Sequence, residues 1–281
     1  MERLHMIVDL AKCVGCFNCL MACKDEHVDN AWPPYTGSQQ KHAQKWINPV
    51  RHERGRAPHT DLCFVPKLCQ HCDDAPCQKA FPEAVRKRDD GIVLLDIEEA
   101  KGKKELVAAC PYGMISWNEK LKAAQKCTMC AHLLDDGWKE PRCVQACPLR
   151  ALSVIKCEDA EFEKIAEHQG LRPLTDGSNK PRVVYKNLDK YTGNFISGAL
   201  AYMEADIEKA AGGAKVELSM NDVPLKEVSA DFFGEFKFDH IPDNSGTFTI
   251  TCSMDGCKPI EAEATVGCES VCLDVMRFEK N

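Results

Sequence analysis

The sequence predicts an α+β chain in two parts: a long N-terminal region organised by cysteine in ferredoxin-like runs, and a C-terminal antiparallel β-sandwich. Three observations predict it. The 281 residues include 18 cysteines, fourteen of them between Cys13 and Cys157. Periodic segments there are short, and "DNAWPPYTGSQQ" and "ERGRAPHTD" read as long connections. From about Ile196 the pattern changes to short stretches that alternate apolar with polar residues between Gly, Asn, Asp and Pro turns, as about seven antiparallel strands would.

Taken in order, Met6–Leu10 is a short apolar segment broken by Asp9, too short to span a bilayer, and no window reaches the ~18 uncharged apolar residues of a membrane helix. The N-terminus shows no basic region followed by a long apolar stretch, so the chain reads as soluble and cytoplasmic, with no direct membrane insertion. "GIVLLDIEEA" (91–100) reads as a strand leading into a helix start. "EDAEFEKIAEHQG" puts Phe162, Ile165 and Ala166 on one helical face, with a glycine to stop it. A turn-rich connection follows, and "AKVELSM", "EFKFD", "GTFTITCS", "IEAEATV" and "VCLDVMRF" are the strands; "DFFGEFKFDHIPDNSGTFTI" resembles the strand–turn–strand of small transthyretin-like or carboxypeptidase-regulatory-like domains, which implies a transthyretin or immunoglobulin-like sandwich. The expected domains are 1–157, carrying the cysteine runs; 158–195, a helix and extended connection; and 196–281, the sandwich. The formal net charge of −7 argues against a nucleic-acid partner, which calls for a basic patch.

So many cysteines mean either a disulfide scaffold or bound metal, and spacing arbitrates. "CVGCFNCLMAC" places Cys13, Cys16, Cys19 and Cys23 in C-x₂-C-x₂-C-x₃-C spacing. Three thiolates on a tight loop reach three corners of one [4Fe–4S] cube, and the fourth points to a neighbouring cube. "CTMCAHLLDDGWKEPRCVQACP" supplies Cys127, Cys130, Cys143 and Cys147; alone it also suits zinc, but beside a complete ferredoxin run it reads as that run's partner. Exchange of fourth ligands then gives one cluster on Cys13, Cys16, Cys19 and Cys147, and a second on Cys23, Cys127, Cys130 and Cys143.

"CQHCDDAPCQKAFP" keeps Cys69, Cys72 and Cys77 but has Phe81 where a fourth thiolate belongs. "AKGKKELVAACPYG" has the complementary defect: Cys110 stands before Pro111, while the three preceding ligand positions hold Ala100, Lys103 and Leu106. Cross-pairing completes a third cluster on Cys69, Cys72, Cys77 and Cys110 and deletes a fourth, whose place Phe81 and its neighbours fill. Cys63 and Cys157 read as small buried hydrophobes. Cys252, Cys257, Cys268 and Cys272 match no common metal spacing, and His71 and His132 stand beside ligands, where they tune hydrogen bonding or potential. No nucleophile–base pair or nucleotide loop is visible, so no catalytic residue is expected.

The four runs in this order, the last split around "MCAHLLDDGWKEPRC", resemble the iron–sulfur electron-transfer (beta) subunits of the dimethyl sulfoxide reductase family of molybdenum and tungsten enzymes. "DEHVDNAWPPYT", "CPYGMISWNE", "AQKCTMCAHLLDD" and "DFFGEFKFD" are similar, within that family, to small subunits of the pyrogallol–phloroglucinol transhydroxylase group and of related phenol hydroxylases and dehydroxylases. That resemblance implies three [4Fe–4S] clusters, an appended sandwich, and a large catalytic partner carrying molybdopterin guanine dinucleotide with Mo or W. It implies a soluble heterodimer acting on hydroxylated aromatic compounds, with room for higher oligomers, and a deleted cluster corresponding to the one that faces a membrane quinol subunit in relatives. The competing readings are an electron-transfer subunit of another enzyme of the same family, a stand-alone polyferredoxin, and clusters that serve only as structural staples.

Overall fold

A computed structural model of the protein describes residues 2–42 and 44–281. The chain divides into two compact units, Met1–Arg51 with Cys63–Leu188, and His52–Leu62 with Asp189–Asn281.

The first unit has little regular structure. In chain order its elements are β1 (Arg3–Asp9), α1 (Asn18–His27), the proximal parts of β2 (Ile47–Arg56) and β3 (His59–Leu68), α2 (Pro76–Ala80), β4 (Val85–Lys87), β5 (Val93–Leu95), β6 (Ile115–Asn118), β7 (Ala123–Lys126), α3 (Ala131–Asp135), α4 (Arg142–Gln145), β8 (Leu152–Cys157), α5 (Asp159–Gln169) and β9 (Val183–Lys186). β1 is the central strand of a three-stranded sheet, antiparallel to β8 and parallel to β9. Covered by neighbours on both edges and by side chains on its faces, it is an almost continuous buried run from Leu4 to Asp9, hence its lack of alternation. α5 lies where its periodicity predicts: Phe162 is buried, Ile165 and Ala166 pack beside it, and Gly170 ends the helix in the left-handed region.

Three expectations about local structure change. Val183, Val184 and Tyr185, placed in an extended connection by sequence, are buried as β9, so the cysteine-bearing unit runs on to Leu188. "ERGRAPHTD" is the tip of the paired strands β2 and β3; polar residues on both faces of the tip hide its period-two pattern. Beyond β5 no helix starts: the Asp96 carboxylate accepts the backbone N–H of Glu98 at 3.0 Å and of Glu99 at 3.3 Å, a local turn that competes with helix.

The second unit holds the β2–β3 tip, a turn of helix α6 (Asp189–Thr192), and eight strands: β10 (Asn194–Glu204), β11 (Ile207–Ala210), β12 (Lys215–Met220), β13 (Val223–Ser229), β14 (Glu235–Ile241), β15 (Gly246–Ser253), β16 (Ile260–Val266) and β17 (Val271–Phe278). They form two four-stranded sheets, β11-β10-β14 with β17 against β10, and β13-β12-β15-β16. Both sheets contribute to one core, with Ile196, Leu200, Phe236, Phe238 and Phe278 from the first and Val216, Leu218, Phe248, Ile250 and Val266 from the second. One pairing departs from the antiparallel expectation: β17 runs parallel to β10, its register shifting between Ser197 and Ala199. The tip belongs here because Gly55, at φ +78°, presses against the Phe195 ring; an added Cβ would lie 2.4 Å from it. Arg54, buried, donates to Asp61, to Asp239 at 3.2 Å and to the Gly193 carbonyl at 2.7 Å. Among the described residues no helix is long and apolar enough to cross a membrane.

Candidate iron–sulfur sites

The loop after β1 turns sharply at Gly15 (φ +66°) and Phe17 (φ 60°) before α1 begins. A Cβ at Gly15 would lie 2.5 Å from the Phe64 ring, so the loop is tight enough to require glycine. It directs Cys13, Cys16 and Cys19 to one cavity, which Cys147, Pro148 and Leu149 close from the far end of the unit. The backbone N–H of Ala151 points at the Cys147 Sγ, 3.2 Å away. Cys16 is exposed, and the rim is apolar and exposed: Val14, Phe17 and Leu149.

One turn further along α1, Cys23 is buried against a second group of thiols. Cys127 follows β7, Cys130 sits in the left-handed region just before α3, and Cys143 is on α4, which packs against α1. Burial, then the charge of Cys127 and Cys130, holds the Cys23 thiol well above its ordinary pKa. Burial followed by Cys130, Cys127 and Cys23 does the same to Cys143. Burial pushes Cys130 to about 12 and Cys127 to about 11. The Met129 N–H lies 3.3 Å from the Cys127 Sγ, and His27 Nε2 lies 4.0 Å from the Cys130 Sγ.

Cys69, Cys72, Cys77 and Cys110 line a third cavity together with His71 and Lys126. Pro76 opens α2 and presents Cys77 on its first turn. The Met114 N–H lies 3.4 Å from the Cys110 Sγ. Burial, then Cys69, Cys110 and Cys77, pushes the Cys72 thiol to about 12. Phe81, at the end of α2, joins the fully buried Ala100 and Leu106 in the apolar cluster that backs Cys72 and Cys77. The Lys103 ammonium turns to Glu83, 2.8 Å away. The position where a fourth site was expected to be deleted is thus filled with packed apolar side chains.

The first and third sets of cysteines each line one cavity, and the thiols of the second lie within electrostatic reach of one another. The remaining cysteines go elsewhere. Cys63 and Cys157 are buried; Cys252 is in the β core; the Cys272 thiol donates to the His59 carbonyl at 3.4 Å; Cys257 is half-buried and Cys268 exposed. None of the eighteen is paired in a disulfide among the described residues.

The donor sets fit [4Fe–4S] clusters. Thiolates that are buried beside one another do not ionise unless a cation is present to bind them. Backbone N–H groups aimed at sulfur are what a cluster's thiolates accept. The sets also lie in series: Cys19 of the first is within electrostatic reach of Cys143 of the second, and Cys127 of the second within reach of Cys69 of the third. Sequence reasoning missed Lys126, whose signal, a lysine ending the apolar-flanked "AAQKC", reads as an ordinary solvated charge.

A family model described as a 4Fe-4S dicluster domain matches residues 60–157. The chain is 43% identical to the pyrogallol hydroxytransferase small subunit of Pelobacter acidigallici, over 91% of this chain and 92% of that one. It is 34% identical to a subunit of the tetrathionate reductase of Salmonella typhimurium, over 67% and 74% of the two chains. It is 28% identical to the arsenate respiratory reductase iron–sulfur subunit of Shewanella sp. (strain ANA-3), over 65% and 95%. With a 4Fe-4S family model matching residues 60–157, one such relative over 91% of its length and others over about two thirds, the chain belongs to the iron–sulfur electron-transfer subunits of the dimethyl sulfoxide reductase family of molybdopterin oxidoreductases.

Proposed function

We propose that this chain holds three [4Fe–4S] clusters, on Cys13, Cys16, Cys19 and Cys147, on Cys23, Cys127, Cys130 and Cys143, and on Cys69, Cys72, Cys77 and Cys110. It serves a large molybdopterin guanine dinucleotide subunit, with Mo or W, in a cytoplasmic heterodimer acting on hydroxylated aromatic compounds. The observation that supports this most is the convergence of these three tetrads in a chain similar end to end to a pyrogallol hydroxytransferase small subunit. When bound, such clusters accept and donate one electron each at low potential. The protein's part is to hold the thiolates, exclude water from the second and third sites, and bring the first to the surface.

That surface supports a docking role for the first site. Cys16 is exposed among Val14 (60% exposed), Phe17 (38%) and Leu149 (48%), an apolar rim suited to a partner whose cofactor must approach closely. The second and third sites lie progressively further along the series, and no fourth tetrad continues it among the described residues. Coexpression with the neighbouring large-subunit gene tests the reading. The expected outcome is a complex with about twelve iron and twelve acid-labile sulfides per copy of this chain, converting trihydroxybenzenes; a chain that purifies alone as an active carrier, or a complex inert toward hydroxylated aromatics, overturns it.

A further inference from the structure

Lys126 is buried at 2% exposure at the end of β7, with Cys127 next in the chain. Its ammonium donates to the Val93 carbonyl, to the Cys127 carbonyl at 3.1 Å and to the Cys69 Sγ at 3.5 Å. Among the described residues no carboxylate pairs with it. An ammonium taken out of water needs a compensating anion, and the thiolates of the second and third sets are the anions it faces. On the same cavity wall stands His71, 1% exposed. The Val93 N–H donates to His71 Nδ1 at 3.0 Å, so in the neutral ring the proton is on Nε2, and that N–H is buried with no partner among the described residues. One residue of β5 therefore anchors both donors, Lys126 through its carbonyl and His71 through its N–H. The first cavity has nothing comparable among the described residues, since the lysine on its wall, Lys12, is exposed.

We propose that Lys126, with His71 beside it, raises the reduction potential of the third site, and Lys126 that of the second to a smaller extent, so that an electron entering at the exposed first site is drawn inward and held. The physical reason is charge. A [4Fe–4S] core with four thiolates carries about −2 when oxidised and −3 when reduced, one electron being gained and no proton taken up. A fixed positive charge and a hydrogen bond to sulfur both favour the more negative state, and more strongly in a dry site than in water. The inference rests on the three-cluster reading and gives the third site its role as the electron reservoir of a chain with no further relay.

The test is a dithionite titration of the purified complex followed by EPR, comparing wild type with Lys126→Gln, Lys126→Arg and His71→Phe. K126Q is expected to disfavour reduction of the third site by about tenfold or more, a downward shift of at least ~59 mV for a one-electron couple. The second site moves less and the first stays in place. K126R, which keeps the charge, returns the third site toward its wild-type midpoint. H71F, which leaves the ammonium in place, lowers the third midpoint alone and so reads the same cavity even if K126Q fails to assemble. Unmoved midpoints in both K126Q and H71F, an equal shift at all three sites, or loss of the third site's iron in K126Q and K126R alike overturns the proposal. Wild type with fewer than about twelve iron atoms defeats the three-cluster reading instead, so the two failures are distinguishable.

Discussion

Cys110→Ser tests the reading of the broken run most directly. Cys110 lies far along the chain from Cys69, Cys72 and Cys77, yet it lines the same cavity and the Met114 N–H is directed at its sulfur. Burial raises its thiol pKa first, with the charge of Cys69 adding to it. Replacing sulfur by a hydroxyl that stays protonated at neutral pH removes one of four ligands from that cavity alone. The expected iron content falls from about twelve to about eight per chain, with one of three EPR signals lost or altered. Because bound metal contributes folding free energy, thermal stability falls too, most in the loops around α2 and in the helical turn Lys104–Val107. Anaerobic purification, iron and sulfide analysis and EPR of the reduced protein read the result. Retention of all twelve irons, or loss of the signal that Cys16→Ser removes, would refute the cross-pairing.

Phe81→Cys should gain no iron, since Ala100, Leu106 and the Glu83-paired Lys103 offer no companion ligands, and should cost about 1–3 kcal/mol of packing, read by chemical denaturation; four additional irons would show that the fourth site is latent rather than filled. Arg182→Met removes a buried guanidinium that binds Asp73 through two bonds of 2.6 Å and Asp159 at 3.1 Å, and should destabilise the first unit by about 3 kcal/mol; a change below about 0.5 kcal/mol would mean the cluster is no more than a solvated surface pair. His5, stacked on Phe162 with centroids 3.7 Å apart, is held at a pKa of about 4 by burial first and then by Arg182. Its lowered pKa contributes stability that is complete above the unfolded value near 6.5 and is lost as pH falls toward 4. Wild type should therefore lose about 1 kcal/mol relative to His5→Phe between pH 7.5 and 5.5, by thermal melts at each pH; parallel curves would show that His5 titrates normally.

Much of the site was legible in the sequence because cluster binding is written in local spacing. Three thiolates on a tight loop are fixed by the chain itself, and the complementary defects at Phe81 and Cys110 point to each other without knowledge of the fold. The strands of the second unit were legible for a similar reason: in β15, for example, Phe248, Ile250 and Cys252 are buried and alternate with half-buried threonines. What stayed hidden depends on long-range partners. β9 carries three successive buried residues because its surroundings cover both faces, and no period marks such a run. The tip of β2 and β3 is polar in sequence because its ordering comes from Arg54 meeting Asp61 and Asp239 and from Phe195 covering Gly55.

Lys126 shows the same limit at the level of chemistry. In one dimension it is a lysine before a cysteine, and a charge there reads as solvent-facing. Only the antiparallel pairing of β7 with β6, which buries Ala123 to Lys126 in succession, turns that side chain inward. Once inside, it meets a carbonyl of β5 and a thiol from a run far upstream, so its consequence is shared between two sites that local spacing treats as independent. Spacing specifies which thiolates gather; the potential at which the gathered set holds an electron is set by residues that arrive from other strands. On the proposed three-cluster reading the order of potentials is therefore a tertiary property, and comparing Lys126→Gln with Cys110→Ser separates it from the ligand set: the first should move a midpoint at constant iron, the second should remove iron.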